Sequence, residues 1–286
     1  MVLEIPVGVT CNNCCVMCTN IMPPPKKWDL STEEIKAMVI GSSERKIVLT
    51  GGEPTIRKDF FEIINFIKTT KPDSQLMVLS NGRMFYYKEF AERFVQSKCN
   101  LVAIPLHAPT AELHDLITQV EGSFNQTVQG IKNLIKHGAD VEIRIVIHKL
   151  NYKKLPAIAE FISNELKGAR RVVLFPIDII GNANKNRVKL VVRMSEVKQY
   201  LEEACELLKR NDFEISLYHT PFCLIDKKYW KNIAGRTVEE RRVTFKPCGK
   251  CVMREKCPGV WKTYAFRVGT EEFHPFTKSN IYKIRE

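Results

Sequence analysis

The chain has 286 residues, 44% hydrophobic and 27% charged, with a formal net charge of +12 at pH 7. That composition excludes a disordered or low-complexity chain, and no uninterrupted apolar run approaches the roughly 20 residues that cross a bilayer. The opening Met-Val-Leu-Glu-Ile-Pro has neither the basic region nor the small-residue cleavage site of a secretory signal, so the chain is expected to begin here and to be cytoplasmic, with no membrane partner.

In chain order, a first strand is predicted over Leu3–Val9 and leads into a loop carrying Cys11, Cys14, Cys15 and Cys18. A helix near 31–40 follows, opened by Ser31 and Glu34 at capping-box spacing, the hydroxyl serving an early backbone N–H and the carboxylate reaching back. Next come strand Lys46–Thr50 and a helix near 58–69 that sets Phe60, Ile63, Ile64 and Ile67 on one face. Strands Gln75–Ser80, Leu101–Leu106, Val141–His148 and Arg171–Phe175 continue the series, with helices near 86–97, 123–137 and 154–165 between them. Short β-branched runs alternating with amphipathic stretches are the signature of βα units on a parallel sheet, and six such units point to a partial (βα)6 TIM-like barrel.

After Gly181 the pattern changes to a polar Asn-rich link, a helix near 195–210 and a strand at Phe213–Tyr218. From about residue 219 the periodicity fades. The reading therefore divides the chain into a core, 1–195, and a small irregular C-terminal domain, 196–286, which has too little apolar pattern to order itself and is expected to rely on a metal cluster.

Ten cysteines in a long chain without a signal peptide point to metal binding or chemistry rather than to a disulfide framework. Seven fall in two groups, Cys11/Cys14/Cys15/Cys18 and Cys248/Cys251/Cys257, leaving Cys99, Cys205 and Cys223 apart. Cys11, Cys15 and Cys18 have the spacing Cys-x3-Cys-x2-Cys on the loop after the first strand, at the edge where α/β barrels place their chemistry. Three thiolates hold three irons of a four-iron cluster and leave the fourth open to a ligand. Gly51-Gly52-Glu53-Pro54 directly follows the second strand.

A three-cysteine loop followed by a glycine-rich turn after the second strand resembles the radical S-adenosylmethionine (SAM) superfamily. The chain departs from its pattern at Met17, where that family usually has an aromatic residue, and Cys14 creates a second triplet, Cys11-Cys14-Cys18. Cys15 is preferred because the spacing then matches the family. The resemblance implies a [4Fe-4S] cluster on Cys11, Cys15 and Cys18 with SAM on its open iron. It further implies that Gly51 and Gly52 admit the ligand to the backbone, that Glu53, in the turn closed by Pro54, holds the methionine ammonium, and that Ser80-Asn81-Gly82 touches the ribose and adenosine. His107 and Arg144, with His148 and Asn151, are candidates to face SAM or substrate, and Pro176 and Gly181 to meet adenine. The alternatives are a zinc site on an α/β scaffold, a plain Asn-Gly turn and structural histidines.

Cys223 with Cys248-x2-Cys251-x5-Cys257 resembles the auxiliary-cluster domain called SPASM and its shortened form, twitch, which implies a second [4Fe-4S] cluster; a four-cysteine zinc site is the competing reading. The family likeness implies reductive cleavage of SAM to a 5'-deoxyadenosyl radical that abstracts hydrogen from a substrate, fed by a low-potential electron donor of ferredoxin or flavodoxin type. A peptide or protein substrate, oxidised or cross-linked, is the first expectation. RNA or a small molecule is the second. A metal-stabilised nucleic-acid-binding protein is the non-enzymatic alternative, prompted by residues 226–268 with twelve Lys or Arg against four Asp or Glu.

Overall fold

The computed structural model describes residues 2–20, 28–99, 101–234, 242–243 and 246–278. Seven parallel strands form one sheet in sequential order: β1 (Leu3–Pro6), β2 (Lys46–Thr50), β3 (Gln75–Leu79), β4 (Leu101–Pro105), β5 (Asp140–Ile147), β6 (Arg171–Pro176) and β7 (Glu214–Leu217). The helices α1 (Thr32–Gly41), α2 (Phe60–Thr70), α3 (Lys88–Gln96), α4 (Ala111–Thr118), α5 (Ser123–Lys136) and α6 (Leu155–Glu165) lie between successive strands. This is the α/β, partial-barrel architecture expected from the alternation of periods.

The reasons are visible in the side chains. β4 and β6 bury both faces over most of their length, as strands covered by helices must. In α2 the four residues predicted on one face, Phe60, Ile63, Ile64 and Ile67, are all buried. Ser31 and Glu34 form the predicted reciprocal cap on α1, with Ser31 N donating to Glu34 Oε2 at 2.7 Å and Glu34 N to Ser31 Oγ at 3.2 Å.

The structure adds a seventh unit. Helix α9 (Met194–Arg210) packs beside α6, and β7 pairs with β6 in parallel register, Val172 opposite Ile215. The predicted division at 195 therefore falls at the start of a helix that covers the sheet. α4 was not anticipated, nor were the short helices α7 (Gly181–Lys185) and α8 (Arg187–Leu190) within the Asn-rich link. Beyond β7 the chain carries a two-stranded ribbon, β8 (Arg242–Val243) antiparallel to β9 (Val260–Trp261), and α10 (Lys262–Val268). This region locks onto the barrel at α9. Tyr264 Oη accepts from Met194 N at 2.9 Å, Glu272 Oε2 accepts from Ser195 N at 2.8 Å, and Tyr264 Oη in turn donates to Glu272 Oε1. Two orphan N–H groups of the first helical turn are thus capped from outside the helix.

Candidate active site

The loop after β1 is held from three sides. Cys14 N and Val16 N donate to Thr118 O and Ile117 O at the end of α4, at 3.0 and 2.9 Å. On the opposite side, Asn182 Nδ2 reaches Cys15 O at 3.4 Å, Asn186 Nδ2 reaches Val16 O at 3.0 Å, and Ala183 N reaches Cys18 O at 3.1 Å. From the third side Arg83 donates to Asn12 O, to Asn13 Oδ1 at 2.8 Å and to Gln126 Oε1 at 2.6 Å. Gly181 is required here, since a Cβ would stand 2.1 Å from Thr19 O.

Two N–H groups aim at the sulfurs themselves: Asn13 N at Cys11 Sγ (3.3 Å) and Asn20 N at Cys18 Sγ (3.4 Å). Burial pushes the Cys11 thiol up to about 11 and raises Cys15 and Cys18 as well, with the neighbouring cysteines adding like charge. Such thiols deprotonate when a cation arrives, and backbone N–H groups then serve the sulfurs. The donor set therefore fits a thiolate-ligated iron cluster. Cys14 is exposed and lies outside the cleft.

Cys11, Cys15 and Cys18 line an open cleft of about 340 Å³ at the carboxyl ends of the strands, together with Gly51, Gly52, Glu53, Ser80, Asn81, His107 and Arg144. Met17 is 8% exposed on its wall and packs with Ile117, Ile177 and Ile179, so the departure from an aromatic is met by a flexible apolar filler. Pro54, His148, Asn151, Pro176 and Gly181 do not line it.

Gly52, Glu53, Ser80 and Asn81 each also have partners within the protein. Gly51 and Gly52 face the cysteine loop: Gly52 N donates to Gly8 O at 2.7 Å and Glu53 N to Thr10 O at 2.8 Å, and a Cβ on Gly52 would stand 2.1 Å from Thr10 O. Their smallness lets two backbones touch. Glu53 is buried and accepts from Thr55 N (3.0 Å), Thr55 Oγ1 (2.5 Å), Ser80 Oγ (2.8 Å) and Asn81 N (2.6 Å). Burial raises its pKa, opposed by those same hydrogen bonds. Ser80 thus spends its hydroxyl proton on Glu53, while Asn81 Nδ2 spans to Asn12 Oδ1 at 2.6 Å. A buried carboxylate rich in N–H and O–H donors on the wall of a cleft is suited to a cationic ligand group.

His107 is 2% exposed with Nδ1 lacking a hydrogen-bond partner, and its ring lies 5.1 Å from that of His114. Burial drives its pKa well down, so the imidazole is neutral. Arg144 donates Nε to Glu142 Oε1 at 2.6 Å, and Arg171 donates to the other oxygen of that buried carboxylate at 2.5 Å.

Sequence reasoning missed Trp261 and Asp178, which complete the cleft wall. Trp261 donates to Pro176 O at 3.1 Å and stacks on His219 at 3.5 Å, while Asp178 accepts from Thr263 Oγ1 at 2.7 Å. These contacts bring the C-terminal region to the mouth of the barrel.

Cys223, Cys248, Cys251 and Cys257 line a second, narrower cavity of about 40 Å³ with Phe222, Met253 and Val260. Burial pushes Cys223 up to about 12, with like charge from Cys257 and Cys248 adding to it, so Cys223 lies within electrostatic reach of the other group. Two segments, one carrying Cys223 and the other Cys248, Cys251 and Cys257, thus bring four thiols to one cavity. Of the basic stretch 226–268, residues 235–241 and 244–245 lie outside those described.

A parallel partial barrel with a three-cysteine loop and a Gly-Gly-Glu turn on one cleft defines a class of SAM-dependent radical proteins. Residues 5–162, more than half of the chain, match the Radical SAM superfamily, and the chain belongs to it. A Thermococcus kodakarensis protein named probable GTP 3',8-cyclase is 33% identical over 139 residues, 47% of this chain and 44% of its own. Mycofactocin maturase MftC of Mycobacterium ulcerans is 32% identical over 168 residues, 55% of this chain and 44% of its own. The chain spans about half the length of these curated relatives. Among solved structures, Streptococcus suis SuiB bound to the precursor peptide SuiA superposes with a TM-score of 0.62 at 14% identity, covering 75% of this chain and 48% of that one, a likeness of fold.

Proposed function

We propose that the chain is a cytoplasmic radical SAM enzyme acting on a peptide or protein, with one [4Fe-4S] cluster on Cys11, Cys15 and Cys18 and a second on Cys223, Cys248, Cys251 and Cys257 in a twitch- or SPASM-like region after the sheet. The observation that carries the reading is the convergence of three cysteines and Glu53 on one cleft at the carboxyl ends of the strands. When bound, a reduced cluster with SAM on its open iron supplies a carbon radical that removes hydrogen from the substrate. Glu53 offers its carboxylate to the ammonium of SAM, and the N–H groups of Asn13 and Asn20 steady the sulfurs of Cys11 and Cys18. Trp261 and Met17 keep the wall apolar and exclude water from the reacting carbon. The maturase relative named above supports a peptide substrate.

A small-molecule substrate is the second reading, favoured by the 33% identity to a probable GTP 3',8-cyclase. The test is anaerobic reconstitution with iron and sulfide, then dithionite and SAM, with iron and 5'-deoxyadenosine measured for wild type and Cys15→Ala. About eight irons in the wild type and 5'-deoxyadenosine from it alone support the proposal. Full iron loading without SAM cleavage overturns it.

A further inference from the structure

The segment that clamps the cysteine loop has an outer face. α7 and α8 turn Asn182, Ala183 and Asn186 onto the loop backbone and leave Lys185, Arg187, Val188 and Lys189 exposed, Val188 at 81%. Lys149, also exposed, joins them, its N–H donating to Leu190 O at 2.7 Å. No Asp or Glu occurs between residues 143 and 159 or between 179 and 195. A basic rim around an exposed valine therefore lies on the segment that bonds to the backbone of Cys15, Val16 and Cys18.

We infer that this face is the landing site for an acidic electron-carrier protein of low potential. The inference rests on the radical SAM reading above and names the partner of the same site. Substrate has to enter the cleft to be touched, whereas an electron has only to arrive near the sulfurs. The α7–α8 face provides that approach without obstructing the cleft wall built by Trp261 and Arg144. Its composition suits a transient complex: cations steer an acidic partner, and a single exposed Val gives a small dry contact. The carrier would give up one electron to the cluster that Cys11, Cys15 and Cys18 would hold. No proton or other atom changes hands. The hydrogen bonds that the Asn182 and Asn186 side-chain amides donate to Cys15 O and Val16 O bridge the outer layer to the loop.

The test uses Lys149→Glu/Arg187→Glu/Lys189→Glu in the reconstituted full chain and an acidic two-cluster bacterial-type ferredoxin as probe. Binding is read by calorimetry at low and high salt, and SAM cleavage is driven in parallel by reduced ferredoxin and by dithionite. We expect ferredoxin binding to weaken about tenfold in the variant at low salt, and wild-type binding to weaken as salt is added. Dithionite-driven cleavage should stay within about twofold of wild type, because no charge in the cleft is altered. Lys46→Glu/Lys136→Glu, at the amino ends of the strands, should leave ferredoxin binding unchanged. Equal binding by the triple variant, or equal loss in the control, overturns the inference. Failure of the radical SAM reading shows separately, as no 5'-deoxyadenosine from wild type with dithionite.

Discussion

Cys11, Cys15 and Cys18 hang on a scaffold that holds its shape through contacts of its own. α4, α7 with α8, Arg83 and the Gly51–Glu53 turn all bond to the backbone of their loop. Cys223, Cys248, Cys251 and Cys257 stand instead on short turns such as Cys251 N to Cys248 O and Cys257 N to Met253 O, and are tied to the barrel through Tyr264, Glu272 and Trp261. The contrast is between a site whose loop the surrounding fold braces from several elements and a group of cysteines that rests on local turns.

The largest effect should come from replacing one cysteine in each group. Cys15→Ala should reduce 5'-deoxyadenosine formation more than about a hundredfold while the protein stays folded, whereas Cys251→Ala should remove about four irons, leave SAM cleavage within roughly tenfold, and lower the melting temperature. The reverse pattern, read by iron assay and calorimetry, would break the contrast. Gly52→Ala drives a Cβ against Thr10 O with backbone on both sides, and should cost about 3 kcal/mol in denaturant unfolding together with iron at the first site. Glu272→Ala leaves Ser195 N unpaired and Tyr264 without its acceptor; about 2 kcal/mol and faster proteolysis of residues 246–278, with residues 2–20 protected, are expected.

Acid is the gentlest probe and loads the barrel side more heavily. Burial drives His107 well down, His114 to about 4 and His148 to about 3. In the unfolded chain these histidines bind protons near pH 6.5, which the native state refuses, so unfolding free energy falls as pH drops below that value. His148→Gln should shrink the stability difference between pH 7 and pH 5 by about 1–2 kcal/mol in urea titrations. No change would mean that this imidazole is protonated in the native protein.

The sheet was legible because its strands and helices differ in period, and Ser31 with Glu34 announced the first helix. Cysteine spacing and the Gly-Gly-Glu-Pro turn announced the site. What stayed hidden was long-range. Asn182 and Asn186, one helical turn apart, read as a polar link because nothing local shows that their amides face Cys15 and Val16, 167 and 170 residues away. The glycines were legible as necessary, but the backbone that needs them belongs to a distant loop. Strand β7 was found and misassigned, since its parallel partner lies beyond a long helix and fading periodicity masked the continuation of the sheet.

β9 carries Val260 on the wall of the four-cysteine cavity and Trp261 on the wall of the cleft. Neighbouring residues of a strand point to opposite faces, so a single peptide unit joins one wall residue of each chamber. Through that shared strand, an occupant that moved β9 from one side would also move a wall of the other chamber. Linkage makes that influence symmetric, so filling either chamber should multiply the other's affinity by one and the same factor.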